Sequence, residues 1–459
     1  MEYISTRNKD KIYSFHDVFL KGLAPDGGLF VPKNFPKYGS KELKSLENFS
    51  YEELASKIIY DFCGNEFEEN EIKQLVKNSY KSFRTDNVVE IKKIGKFYLL
   101  ELFHGPTLAF KDIAMQVIGN MYEKILGKIN SKINVIVATS GDTGAAAINA
   151  IKNRKNMKIF VLHPDKKISD IQRKFMTTEN SNNVFNIAID GNFDDCQKLV
   201  KSMFANKNFN QSINMSGVNS INWSRIIIQI IYYFFSYFKV ASKDERINFS
   251  VPTGNFGDIY AGYVAKKMGL PINKLVVATN KNDILKKVIN TGVYKPKNVE
   301  HTVSPSMDIQ VASNFERLIF DLCNNNSNET LGLMNNLSQK GEFKLNDNQV
   351  KEIAKNFSSE SLSEKETKSV INEVYKNQKI LIDPHTAIGI GVTKKISLEG
   401  KTVILATAHP AKFSDIVLKE TGVKPELPEK LNDILTKKEE YKNLPNNLKN
   451  VQDYILKKI

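Results

Sequence analysis

Lys111 is the last residue but one of the stretch Glu101-Leu-Phe-His-Gly-Pro-Thr-Leu-Ala-Phe-Lys-Asp112. A tight turn at Gly105-Pro106 delivers the chain into Thr107-Leu-Ala-Phe110. The lysine then heads an amphipathic run of Ile113, Met115, Val117, Ile118, Met121, Tyr122, Ile125 and Leu126. An amine near a positive helix N-terminus and beside apolar side chains loses its proton more readily than one in water. In that state it is a nucleophile able to hold an aldehyde cofactor as a Schiff base. The chain has 65 Lys+Arg, and most lysines only solvate a surface. Lys111 therefore needs partners elsewhere in the chain.

Four turns supply them. Thr139-Ser-Gly-Asp-Thr-Gly144 brings backbone N–H groups at a helix start and the hydroxyls of Ser140 and Thr143, which suit a carboxylate; a plain capped helix would use the same residues. Val251-Pro-Thr-Gly-Asn-Phe-Gly-Asp258 is a phosphate cradle in form. It has neither the Gly-Lys-Ser/Thr of a P-loop nor the GxGxxG spacing of a dinucleotide site. Its aspartate is expected to offer a backbone N–H and to turn its carboxylate toward the helix cap. Asn219-Ser-Ile-Asn-Trp-Ser-Arg225 gathers amides, hydroxyls and a guanidinium, which fit a second phosphate or a structural ion pair. Leu405-Ala-Thr-Ala-His-Pro-Ala-Lys-Phe413 ends a strand at Thr407, whose hydroxyl can bond a ring nitrogen without forcing a proton onto it. His409 reads as a turn residue or a base, and spacing assigns no role to His104 or His385. One lysine, two anion cradles and a neutral hydroxyl together fit a phosphorylated aldehyde cofactor acting on a phosphorylated amino acid.

These turns need strands to carry them. Phe97–Glu101, Ile133–Ala138, Lys158–Leu162, Val184–Ile189, Asn248–Val251, Leu275–Ala278, Ile380–Ile382 and Val403–Ala406 read as strands. Helical patterns alternate with them, as in a parallel sheet with ligands at the strands' carboxyl ends. Residues 1–90 read as a separate scaffold with a capping box at Ser50 and Glu53. The stretch 324–379, with a second box at Ser363 and Glu366, reads as a helical excursion from the sheet. The tail from 426 reads as surface helices.

Composition narrows the class. Over 459 residues, 41% hydrophobic and 25% charged residues describe an ordinary globular chain of two or three domains. The charge of +14 comes from scattered lysines mixed with acids, unlike the basic stripe of a nucleic-acid binder. Cys63, Cys196 and Cys323 are far apart with no CxxC pair, against a zinc site or disulfide framework. The most apolar segment, Ile226–Phe238, falls short of the roughly 20 residues of a membrane span. No signal pattern stands at Met1-Glu-Tyr-Ile, so a cytoplasmic location is expected.

The motifs, taken together, resemble the threonine synthases, pyridoxal-phosphate enzymes with the tryptophan-synthase-β type of fold. The resemblance runs through Gly22–Pro32, His104–Asp112, Thr139–Gly144, Phe193–Gln197, Asn219–Arg225, Val251–Asp258, Ser304–Ile309, Asp383–Thr386 and Thr407–Phe413. It implies an α/β fold of type II: parallel-rich sheets flanked by helices, in two main domains plus an N-terminal domain. Residues 1–90 would be the N-terminal domain, 91–125 with 216–459 the large cofactor domain, and 126–215 an inserted small domain. Lys111 would carry pyridoxal 5'-phosphate. Gly254, Asn255, Phe256, Gly257 and Asp258 would hold its phosphate, and Thr407 would meet its pyridine nitrogen. Ser140, Asp142 and Thr143 would lie at the substrate carboxylate and the cofactor ring, although an ionised aspartate at 142 cannot donate to a phenolic oxygen. Asn219, Ser220, Asn222 and Arg225 would bind the substrate phosphate. The implied reaction is O-phospho-L-homoserine plus water to L-threonine and phosphate, the last step of threonine biosynthesis. A phospho-lyase of the same family releasing 2-oxobutyrate is the near alternative, and a basic nucleic-acid-binding protein the distant one.

Overall fold

Parallel strands covered on both faces read as largely apolar runs. Thr402–Ala406 is one, and so are Ile247–Pro252 and Ile272–Thr279, interrupted by Asn248 and Ser250 in the first and by Asn273 and Lys274 in the second. In the computed structural model, which describes residues 1–459 apart from 65, 218, 219 and 397, they form the middle of a six-stranded sheet. Its order is Phe357–Ser361, Ile272–Thr279, Ile247–Pro252, Thr402–Ala406, Phe97–Glu101, Glu90–Ile94. All neighbours are parallel except the last pair. This sheet belongs to a unit made of Met1–Lys77, Thr85–His104 and Ser220–Pro425.

Two expectations change here. The 324–379 segment is not purely helical, because Phe357–Ser361 adds the sheet's edge beside Ile272–Thr279. Phe-Ser-Ser-Glu-Ser carries a single apolar residue, so no alternation marks it in the sequence. Ile380–Ile382 is no strand. It is a short link between the left-handed cap at Lys379 (φ 57°) and the helix Pro384–Ile396, and Ile382 packs into the core instead. The boxes at Ser50/Glu53 and Ser363/Glu366 both form.

The first 77 residues are grouped with this unit. Tyr3–Ser5 pairs antiparallel with Asn8–Tyr13 and Phe30–Pro32. That small sheet closes on Trp223, which is fully buried in ring contact with Tyr3, Phe35, Phe62 and Tyr260. Thr6 and Arg7 both bond Glu316, at 2.7 and 2.9 Å.

The other unit is Asn78–Arg84, Gly105–Asn219 and Glu426–Ile459. Its five strands are all parallel, in the order Lys442–Pro445, Val184–Asp190, Met157–Pro164, Ile133–Ala138, Met215–Ser216. The helix Lys111–Lys128 is grouped here, not with the larger sheet as the expected boundary at 125 had it. The tail is also grouped here. Lys442–Pro445 extends the sheet, Val451 and Ile455 bury in its core, and Glu439 pairs with Arg173 at 2.7 Å. Among the described residues no helix is long and apolar enough to cross a membrane, and no His/Cys/Asp/Glu group could hold a metal ion.

Candidate active site

Within the second unit, the turn ahead of Lys111 is held by Asp112. Its carboxylate accepts the Thr107 amide at 2.7 Å and the Thr107 hydroxyl at 2.6 Å, and it is fully buried. A Cβ at Gly105 would stand 2.6 Å from Asp112 Oδ2, so the turn requires glycine. Arg84 donates to the Gly105 carbonyl at 2.6 Å. Sequence reasoning missed Thr107, Asp112 and Arg84 as the frame of the lysine, although two of them lie inside the motif.

Lys111 is buried at the head of its helix, and its Nζ lies 3.5 Å from Asp142 Oδ2. Asp142 opens the helix Asp142–Ile151, one residue beyond the end of the Thr139–Gly141 turn from the strand Ile133–Ala138. Its Oδ1 accepts Gln172 Nε2 at 3.3 Å, leaving Oδ2 toward the Lys111 amine. Thr139 Oγ1 takes the amides of Gly141 and Gly144, at 3.0 and 2.9 Å, which removes two N–H groups from the expected anion site. Ser140 and Thr143 remain half-buried at its rim.

Within the first unit, the turn 253–257 and Thr407 leave the carboxyl ends of adjacent parallel strands, Ile247–Pro252 and Thr402–Ala406. Phe256 sits in the left-handed region at φ 62° and caps the helix Gly257–Lys267. Its ring is core, in contact with Phe315 and Phe357, so only its backbone can serve a ligand. A Cβ on Gly254 would stand 2.6 Å from the Ser306 carbonyl, leaving space for glycine alone. Asn314 braces the turn, donating to the Asn255 carbonyl through its backbone at 3.1 Å and its amide at 3.0 Å. The turn ends at a helix start, whose backbone N–H groups are the usual host of a phosphate, although the Phe256 N–H already donates to the Gly254 carbonyl at 2.8 Å.

Asp258 departs from its expected cap role. Its Oδ1 accepts the hydroxyls of Tyr232 at 2.6 Å and Tyr233 at 2.9 Å. Burial, then the carboxylate's charge, hold both phenols well above their ordinary range, so they stay donors. Thr407 is buried just past its strand. His409 accepts the Ala411 amide at 3.2 Å, as a turn residue does.

Arg225 lies in the first turn of the helix Trp223–Val240, 4% exposed. Its Nε has no hydrogen-bond partner, and among the described residues it forms no ion pair. Burial pulls its guanidinium down to about 10, with Tyr232 and Asp258 pulling the other way. An unpaired buried cation costs on the order of several kcal/mol, and the structural ion pair that spacing also allowed is not formed among the described residues. Asn222 is spent differently: it caps the helix through Ser224 N at 3.0 Å and ties down the Phe19 carbonyl at 3.0 Å. Ser220 is half-buried, its carbonyl bonded to Asn314 at 3.1 Å, and Asn219 lies outside the described residues.

A buried lysine at a helix head, with glycine turns at the carboxyl ends of parallel strands, marks a class. Residues 84–336 match the family described as pyridoxal-phosphate dependent enzyme. Residues 2–80 match the threonine synthase N terminus and residues 386–455 the threonine synthase C-terminal region. The chain belongs to the threonine synthase family. It is 42% identical to threonine synthase from Pseudomonas aeruginosa, over 99% of this chain and 98% of that one. The structure of pyridoxal-phosphate-bound threonine synthase from Brucella melitensis superposes at a TM-score of 0.97, with 43% identity over 100% of this chain and 99% of that one. The yeast threonine synthase structure superposes at 0.95, with 37% identity over 100% and 98%. The fold is the type II fold expected, and the cofactor is pyridoxal phosphate.

Proposed function

We propose that this chain converts O-phospho-L-homoserine and water to L-threonine and phosphate, with Lys111 as the residue that binds the cofactor aldehyde. The observation that carries the phosphorylated substrate is Arg225, a buried guanidinium with a free Nε. Bound cofactor supplies an electron sink for a carbanion beside the amino group. The chain supplies the rest. The backbone of Gly254, Asn255, Phe256, Gly257 and Asp258 holds the cofactor phosphate, and Tyr232 and Tyr233 keep the Asp258 carboxylate turned away from it. Thr407 meets the pyridine nitrogen with a neutral hydroxyl. Lys111, when its amine is free, would be the base at Cα, with the Asp142 carboxylate 3.5 Å from that amine. Ser140 and Thr143 receive the substrate carboxylate. Arg225 binds the substrate phosphate, with Asn219 and Ser220 as further donors and Asn222 fixing the helix end.

The three cysteines, all buried free thiols, support a reducing, cytoplasmic setting, and no nucleic-acid partner is proposed. The test is product analysis of the loaded enzyme with O-phosphohomoserine. Threonine and phosphate in equal amounts are expected. Mainly 2-oxobutyrate and ammonia would assign a phospho-lyase instead, and salt-dependent DNA or RNA binding with no imine absorbance would assign a nucleic-acid binder.

A further inference from the structure

Asp383 and His385 form a buried pair that the reaction above does not use, at 0% and 3% exposure. Asp383 caps the helix Pro384–Ile396, its Oδ1 accepting both the Thr386 amide at 3.0 Å and the Thr386 hydroxyl. Its Oδ2 takes the His385 amide at 3.0 Å and stands 2.6 Å from His385 Nδ1. On the far side of the ring, Nε2 accepts the Ser306 backbone N–H at 3.3 Å. A ring that donates to a carboxylate at Nδ1 and accepts from an amide at Nε2 is one neutral tautomer. The Ser306 carbonyl is the atom that leaves no space for a side chain on Gly254. Asn280 anchors the same segment, donating to Ser304 Oγ at 3.0 Å and Asp308 Oδ1 at 2.8 Å.

A continuous line therefore runs from a helix cap through an imidazole and the backbone of one residue, Ser306, to the first glycine of the phosphate turn. We propose that His385, oriented by Asp383, is a positioning residue for the cofactor phosphate. It fixes the 304–309 segment as the wall against which Gly254 packs, and that wall aims the N–H groups of the turn. Hydrogen-bond partners of this kind are worth an order of magnitude or more when a ligand needs fixed donors. The inference rests on the assignment of 254–258 to the cofactor phosphate.

The experiment compares pyridoxal phosphate with pyridoxal, which lacks the phosphate, binding to the full-length apoprotein by imine absorbance. Wild type should prefer the phosphorylated form. His385→Leu should bind pyridoxal phosphate about ten-fold more weakly with pyridoxal unchanged. His385→Gln, whose amide oxygen can still accept from Ser306, should recover most of the preference. If the leucine variant does not fold, the ratio is read on Asp383→Asn, which keeps a capping oxygen but loses the charge that orients the ring; it should fall there too. An unchanged ratio, or equal weakening toward both ligands, overturns the proposal. A wild type without preference overturns the phosphate assignment itself.

Discussion

Lys111 Nζ and Asp142 Oδ2 lie 3.5 Å apart, both buried, with Gln172 holding the carboxylate's other oxygen. A turn that offered an amide here could donate to a cofactor oxygen; this turn offers an anion to the amine instead. In the proposed reaction Asp142 would face the charge of Lys111 each time the amine gains a proton. Asp142→Asn keeps the shape and removes the charge. It should still form the imine but lower kcat about 100-fold, within the range of one acid–base group. Imine absorbance and steady-state turnover, read together, check both halves of that statement.

Arg225 makes a prediction of opposite sign on two scales. Arg225→Met removes an unpaired buried cation, so the free protein should become more stable by about 1–3 kcal/mol. The same change should raise KM for the phosphorylated substrate about 10- to 100-fold and leave pyridoxal-phosphate affinity unaltered. Urea denaturation and kinetics measure the two. Equal loss of cofactor and substrate would place Arg225 at the other phosphate.

Trp223 joins the N-terminal sheet to the larger one. Its ring is surrounded by Tyr3, Phe35, Phe62, Tyr260 and the Arg317 guanidinium at 5.4 Å. Trp223→Ala should cost about 3–5 kcal/mol by cavity formation. Because Arg225 is only two residues away, the loss should also raise KM in the folded fraction, read by kinetics at low temperature.

Much of this was legible because the chemistry sits in turns between well-marked strands. Glycines at 141, 144, 254 and 257 and the lysine at 111 announce themselves by type. The supports do not. Asp258 reads as a cap in the sequence, and only the packing of the helix Trp223–Val240 brings Tyr232 and Tyr233 to its carboxylate. His385 meets Ser306 across 79 residues of chain. Phe357–Ser361 becomes a strand because its neighbour offers an edge, not through its own pattern. The tail's place on the smaller sheet is set by Lys442–Pro445 pairing with Val184–Asp190, a parallel contact that local propensity cannot reveal.

Lys266 gives a pH signature. Burial, with Lys274 and Arg246 nearby, lowers its ammonium to about 8 in the folded chain. The unfolded chain keeps its proton up to about 10.4. Between those values the unfolded state binds more protons, so this residue's contribution makes stability rise with pH through that window. Lys266→Met should flatten the rise and be relatively more stable below pH 8. Urea midpoints of both proteins from pH 7 to 10 test it.

The central claim is that Lys111, among 65 basic residues, carries the cofactor. Reduction of the loaded enzyme with borohydride, followed by peptide mapping, tests it directly. The account predicts one pyridoxyl group, on the peptide containing Lys111, and none on the Lys111→Ala protein. A pyridoxyl group on another lysine of the wild type, or an undiminished label in the variant, would contradict it.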